Sequence, residues 1–110
     1  MNLLPYLKGE KQGDSTLRIL PVDGVGEVRT LCTMPDGLDD ITWSPDGKMI
    51  AFAGKDGGKD AVNIVNVKTG DYEKLDIRLE GIHTVTWSPT GNTVAFVGIT
   101  SRQSDIWTFN

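Results

Sequence analysis

Apolar residues recur along this chain in short alternating runs, each closed by a turn. Ile41-Thr42-Trp43 reads as a strand and Ser44-Pro45-Asp46-Gly47 as the turn that ends it. Proline fixes φ there, and glycine is free to take positive φ. Met49 to Ala53 predicts a second strand, rich in residues that suit a buried sheet. Gly54 to Asp60 is polar and glycine-rich and predicts a flexible loop. Val62, Ile64 and Val65 to Val67 predict a third strand, closed by Lys68-Thr69-Gly70. Tyr72 to Ile77 alternates weakly and is more polar, as expected of an outer edge strand. No helical period competes with this pattern.

The same order of strands and turns returns at a fixed distance. Ile41 to Phe52 matches Val85 to Phe96 without a gap, so that Trp43, Ser44, Pro45 and Gly47 recur 44 residues later as Trp87, Ser88, Pro89 and Gly91. Leu31 and Leu75 keep that offset, as do Glu27 and Asp71. A period of this length with four short strands belongs to an antiparallel propeller blade.

Counting repeats gives an all-β chain of about two and a half antiparallel four-stranded β-propeller blades, an incomplete propeller of about ten strands. The chain is expected to be one repeat module over residues 1–110, with a partial blade at 1–38, a full blade at 39–80 and a partial blade at 81–110. In the first unit, Leu17 to Val22 takes the third-strand position and Gly26 to Cys32 the fourth. Leu3 to Leu7 is assigned the second-strand position, with Lys8 to Asp14 as its loop. The last unit supplies His83 to Trp87, Thr93 to Gly98 and Asp105 to Phe109.

Trp43-Ser44-Pro45-Asp46-Gly47-Lys48, followed by Ile50-Ala51-Phe52, resembles the WD-like repeats of TolB-type β-propellers. Asn63-Ile64-Val65-Asn66-Val67 before Lys68-Thr69-Gly70 looks like that family's third strand, and Asp105-Ile106-Trp107 like the same element again. The second copy departs from the pattern with Thr90 in place of Asp46, which is expected to weaken a turn hydrogen bond and leave the architecture intact. The resemblance implies one of two settings. One is a periplasmic propeller that binds protein partners; the other is the substrate-gating propeller of a prolyl-oligopeptidase-like serine peptidase. Neither setting places catalytic residues in the blades.

Composition narrows the function classes. With 110 residues, 38% hydrophobic and 24% charged, the chain supports a modest core and is not disordered. No run approaches the roughly 18 apolar residues of a spanning helix, so membrane insertion is not expected. A net charge of −4 without a basic face argues against nucleic acid as a partner. Met1 to Leu7 lacks the charged leader, long apolar run and cleavage site of a secretory signal, which leaves the compartment open.

No residue type stands in a pattern that predicts a catalytic, cofactor or metal site. Cys32 is the sole cysteine, in a strand-like run where a small buried apolar residue is expected. His83 is the sole histidine and lies ahead of an inner strand, where a local turn contact is expected. Ser44 and Ser88 are turn residues in a recurring Ser-Pro, with no nucleophile elbow around them. Gly54 to Asp60 lacks the spacing of a calcium or phosphate loop. Trp43 and Trp87 recur at one repeat position and are expected to pack between blades. Trp107 shares a strand face with Phe109, opposite Ile106 and Thr108.

The expected role is therefore a non-catalytic interaction module for a protein or peptide partner. Its partial end units admit three arrangements: a fragment of a longer propeller, a homo-oligomer that completes the ring, or an open stack.

Overall fold

The computed structural model describes residues 15–21, 26–56, 58–75 and 77–110, which form nine strands. The strand assigned to Leu3 to Leu7 and its loop lie outside the described residues. Three antiparallel sheets follow one another along the chain. The first pairs β1 (Ser15–Ile19) with β2 (Arg29–Met34). The second holds β3 (Leu38–Trp43), β4 (Met49–Asp56), β5 (Lys59–Asn66) and β6 (Tyr72–Lys74), in that order. The third holds β7 (Gly81–Trp87), β8 (Val94–Thr100) and β9 (Gln103–Phe109). Within each sheet the strands lie in chain order, so no crossover connection is needed.

The 44-residue repeat survives as strand register. Ile50 pairs with Val65 and Phe52 with Asn63, while Val94 pairs with Phe109 and Phe96 with Trp107. Asn63 and Trp107 are thus equivalent, as are Asn66 and Asn110. Both inner strands carry a bulge at the same place, between Asp39 and Thr42 in β3 and between His83 and Thr86 in β7. At that bulge Asp40 and Thr84 both take positive φ, 57° and 58°.

Alternation along β4 and β5 sends side chains to both faces of the middle sheet, and both faces are buried. Ile50, Phe52 and Val65 meet Leu17, Leu31, Cys32 and Met34 of the first sheet. Ala51, Ala53 and Val62 meet Leu75 and Leu79 together with Ile82, Val85, Val94 and Phe96. Large apolar side chains buried in this way each contribute about 1.5–3 kcal/mol.

Turn chemistry follows the sequence closely. Ser44 Oγ donates to Asp46 Oδ1 at 2.7 Å and accepts Met49 N–H at 3.0 Å, and Lys48 N–H also donates to Asp46 Oδ1 at 2.9 Å. In the second copy Thr90 Oγ1 donates instead to Asn92 Oδ1, and the Thr93 N–H bond to Ser88 Oγ lengthens to 3.3 Å.

Three expectations are corrected. Gly54 to Asp60 is not a flexible loop, because β4 runs on to Asp56 and β5 begins at Lys59, leaving a two-residue hairpin connection. Asp60 is buried: its main chain bridges Leu79 and its carboxylate Oδ2 accepts Ile82 N–H at 2.9 Å. The fourth strand stops at Lys74, although Leu75 N–H still donates to Val62 O at 2.9 Å. Trp43 is not core; it is 51% exposed.

Candidate functional site

The third sheet presents an edge that the middle sheet covers. On β5, the outer strand β6 pairs Asn63 with Lys74, Ile64 with Glu73 and Val65 with Tyr72. The equivalent positions on β9 are Trp107, Thr108 and Phe109, and no strand pairs with that edge among the described residues. Ile106, the equivalent of Val62, is 80% exposed, whereas Val62 is packed against residues of the third sheet and is 1% exposed.

Beside this edge is a cleft of about 330 Å³ between the second and third sheets. Ile64, Leu75 and Glu73 form its wall on one side, with Trp87, Phe109 and Asn110 opposite. A larger cleft of about 540 Å³ occupies the same place between the first and second sheets. Its Arg29, Gly47, Lys48 and Asn66 are the repeat equivalents of Glu73, Gly91, Asn92 and Asn110.

The two clefts differ in closure and in charge. In the first, Arg29 Nη2 reaches across to the main-chain oxygens of Val67 and Lys68, at 2.7 and 3.2 Å. Those oxygens belong to the β5–β6 turn, which Asn66 Oδ1 shapes by accepting the N–H groups of Lys68 and Thr69. Arg29, Lys48 and Lys68 make this cleft basic. In the second cleft Glu73 and Asn92 replace Arg29 and Lys48, so its charge is acidic.

The residues singled out from sequence fall elsewhere. Trp87 packs against the second core cluster and donates from Nε1 to Thr42 O at 3.1 Å. Trp107 packs against the same cluster, with its Nε1 buried and unpaired. His83 lies within β7 at the bulge rather than in a preceding loop, and its Nδ1 is 2.9 Å from Thr84 Oγ1. Cys32 is buried, and burial pushes its thiol pKa up, which disfavours the reactive thiolate. Ser44 is engaged in its turn. The structure brings none of these residues to the open cleft except Trp87. Glu73 was missed, although its alignment with Arg29, a charge reversal at one repeat position, was the signal available.

No family model matches the chain. The structure is similar to the crystal structure of TolB from Acinetobacter baumannii, with a TM-score of 0.73 and 24% sequence identity. The match covers 86% of this chain and 24% of that one, so this chain spans about a quarter of the length of the protein it resembles. The likeness shows the fold, and the three successive antiparallel sheets are those of a partial TolB-like β-propeller.

Proposed function

We propose that this chain is a non-catalytic β-propeller module that binds a protein or peptide partner by strand addition at the outer edge of β9. The observation that supports this reading is the contrast between equivalent strands: β5 carries β6 along its outer edge, and β9 carries no strand there among the described residues. Strand addition draws affinity from main-chain hydrogen bonds and specificity from alternate side-chain pockets. The adjoining cleft offers such a pocket, lined by Ile64, Leu75, Trp87 and Phe109.

The chain itself supplies a probe. A synthetic peptide reproducing Val67–Leu79 contains the strand that pairs with β5 and should pair with β9 in trans. Titrated into isotope-labelled protein, it is expected to shift the amide resonances of Ile106 to Phe109 and to slow their hydrogen exchange. Absence of any change at those four residues overturns the reading.

A further inference from the structure

We infer that the cleft between the first and second sheets binds a small phosphate-bearing anion, held by Arg29, Lys48 and Lys68. This site is separate from the β9 edge and stands or falls independently of strand addition there.

Three cationic residues converge on one short turn. The Arg29 guanidinium reaches it from β2, with Nη2 donating to Val67 O and Lys68 O at 2.7 and 3.2 Å. Lys48 is tied to the same turn through its main chain, since Val67 N–H donates to Lys48 O at 3.0 Å. Lys68 lies within the turn, where Asn66 Oδ1 accepts its N–H and that of Thr69. Hydrogen bonds therefore fix the main chain that carries both lysines, and neither ammonium is held in an ion pair among the described residues. No carboxylate lines the cleft. Asp46 is near enough for Lys48 to act on its charge, but its Oδ1 is taken up by the Ser44 hydroxyl and the Lys48 N–H.

The fold does not require this gathering of charge. At the equivalent junction between the second and third sheets, Glu73 and Asn92 stand in place of Arg29 and Lys48. The adjoining turn there keeps its main-chain bonds, with Gly91 N–H on Ser88 O at 2.9 Å as Gly47 N–H is on Ser44 O. Like charges drawn together repel one another, and an anion seated among them relieves that repulsion.

The donors select the class of anion. The turn engages only Nη2 of Arg29, which leaves Nε and Nη1 to meet a pair of oxygens on one planar edge. Thr69 Oγ1 accepts the Asp71 N–H, so its own proton is available to a ligand oxygen. A doubly charged phosphate answers several cations at once, as a single carboxylate does not. The cleft volume of about 540 Å³ accommodates a phosphate together with a small organic group.

Titrating the full chain with inorganic phosphate and with glycerol phosphate, at constant ionic strength and followed by NMR, tests the site. Both are expected to give saturable shifts at Arg29, Lys48, Lys68 and Thr69, and sodium chloride none. Equal affinities assign the site to phosphate itself, and tighter glycerol phosphate assigns it to the ester. Lys48→Asn, the residue found in the second cleft, and Lys68→Gln are each expected to weaken binding at least about 5-fold, the scale of losing one charge-assisted contact. Without phosphate, both variants should melt at or above the parent temperature, because like-charge repulsion is reduced. The inference is overturned if succinate binds as tightly as phosphate, if Lys55 and Lys59 shift as much as the cleft residues, or if both variants keep the parent affinity.

Discussion

The Trp87 indole Nε1 donates to the main-chain oxygen of Thr42, 3.1 Å away, and so ties the inner strand of the third sheet to that of the second. Trp43 occupies the same repeat position one sheet earlier and is 51% exposed. Two tryptophans with one sequence context thus differ in role, because only Trp87 has the inner strand of a preceding sheet beside it among the described residues. Trp87→Ala is expected to cost about 3 kcal/mol, the lower end for truncating a buried aromatic. Trp43→Ala is expected to cost less than about 1 kcal/mol, nearer the range of surface changes. Denaturant melts of the two variants check this, and equal losses would show that the two indoles are equally buried.

Gly98 is needed for a different reason from the turn glycines. A Cβ there would meet the Leu79 side chain and lie 2.7 Å from Trp107 Cδ1 and Nε1. Gly54 makes the same room for Asn63, whose Nδ2 would lie 2.6 Å from an added Cβ. Each glycine thus receives the side chain of the adjacent strand at equivalent positions. Gly98→Ala is expected to destabilise by about 1–3 kcal/mol, the usual cost of overpacking. Tryptophan fluorescence should report a displaced Trp107, and an unchanged melting temperature would refute the close contact.

Thr84 holds a φ of 58°, which is unfavourable for a β-branched residue. The conformation recurs at Asp40, so the bulge imposes it. Thr84→Gly is expected to stabilise the chain by up to about 1 kcal/mol, since glycine adopts this region without steric cost. Its melting temperature should rise. A fall would mean that the Thr84 hydroxyl beside His83 matters more than the backbone strain.

Much of this architecture was legible in sequence because the turns are local. Pro45, Asp46 and Gly47 act within a few residues, and the 44-residue register then places β7 and β8. What could not be read depends on distant partners. Trp43 and Trp87 differ through the sheet beside them, not through their neighbours in sequence. The Gly54–Asp60 segment was misassigned because polar residues and glycines near a hairpin tip mimic a loop. Cross-strand pairing of Lys55 with Asp60 and Asp56 with Lys59 makes it strand. The open cleft was hidden for the same reason, since Glu73 acquires meaning only opposite Phe109 and Asn110.

Asp46 gives the fold a pH dependence at its first repeated turn. The Ser44 hydroxyl, and after it the Lys48 N–H, holds its carboxyl below the usual carboxylate range. A lowered folded pKa means that the turn's contribution is present above the unfolded value, near about 4. It is lost as pH falls through the folded pKa. The Asp46→Asn chain should therefore show a flatter stability profile between neutral pH and about pH 3. Parallel profiles for variant and parent would exclude the turn as the source.

Asp60 couples the tip of one sheet to the entry of the next, and its removal tests whether the sheets melt together. Its N–H and C=O bridge Leu79 at 2.6 and 2.9 Å, and its Oδ2 accepts the N–H of Ile82. Residue 60 is 8% exposed and Ile82 is 6% exposed, so the Ile82 N–H has little access to water. Truncation leaves that donor unsatisfied, at a cost of about 1–3 kcal/mol. Asp60→Ala should lower the melting temperature, whereas Asp60→Asn keeps an acceptor oxygen and should recover much of the loss. The location of the damage is as informative as its size. Ile82 opens the third sheet, so hydrogen exchange in Asp60→Ala should accelerate in β7 and β8 before it does in β1 and β2. Uniform acceleration across all three sheets would instead mean that they unfold as one unit, with Asp60 contributing to global stability and not to a local seam.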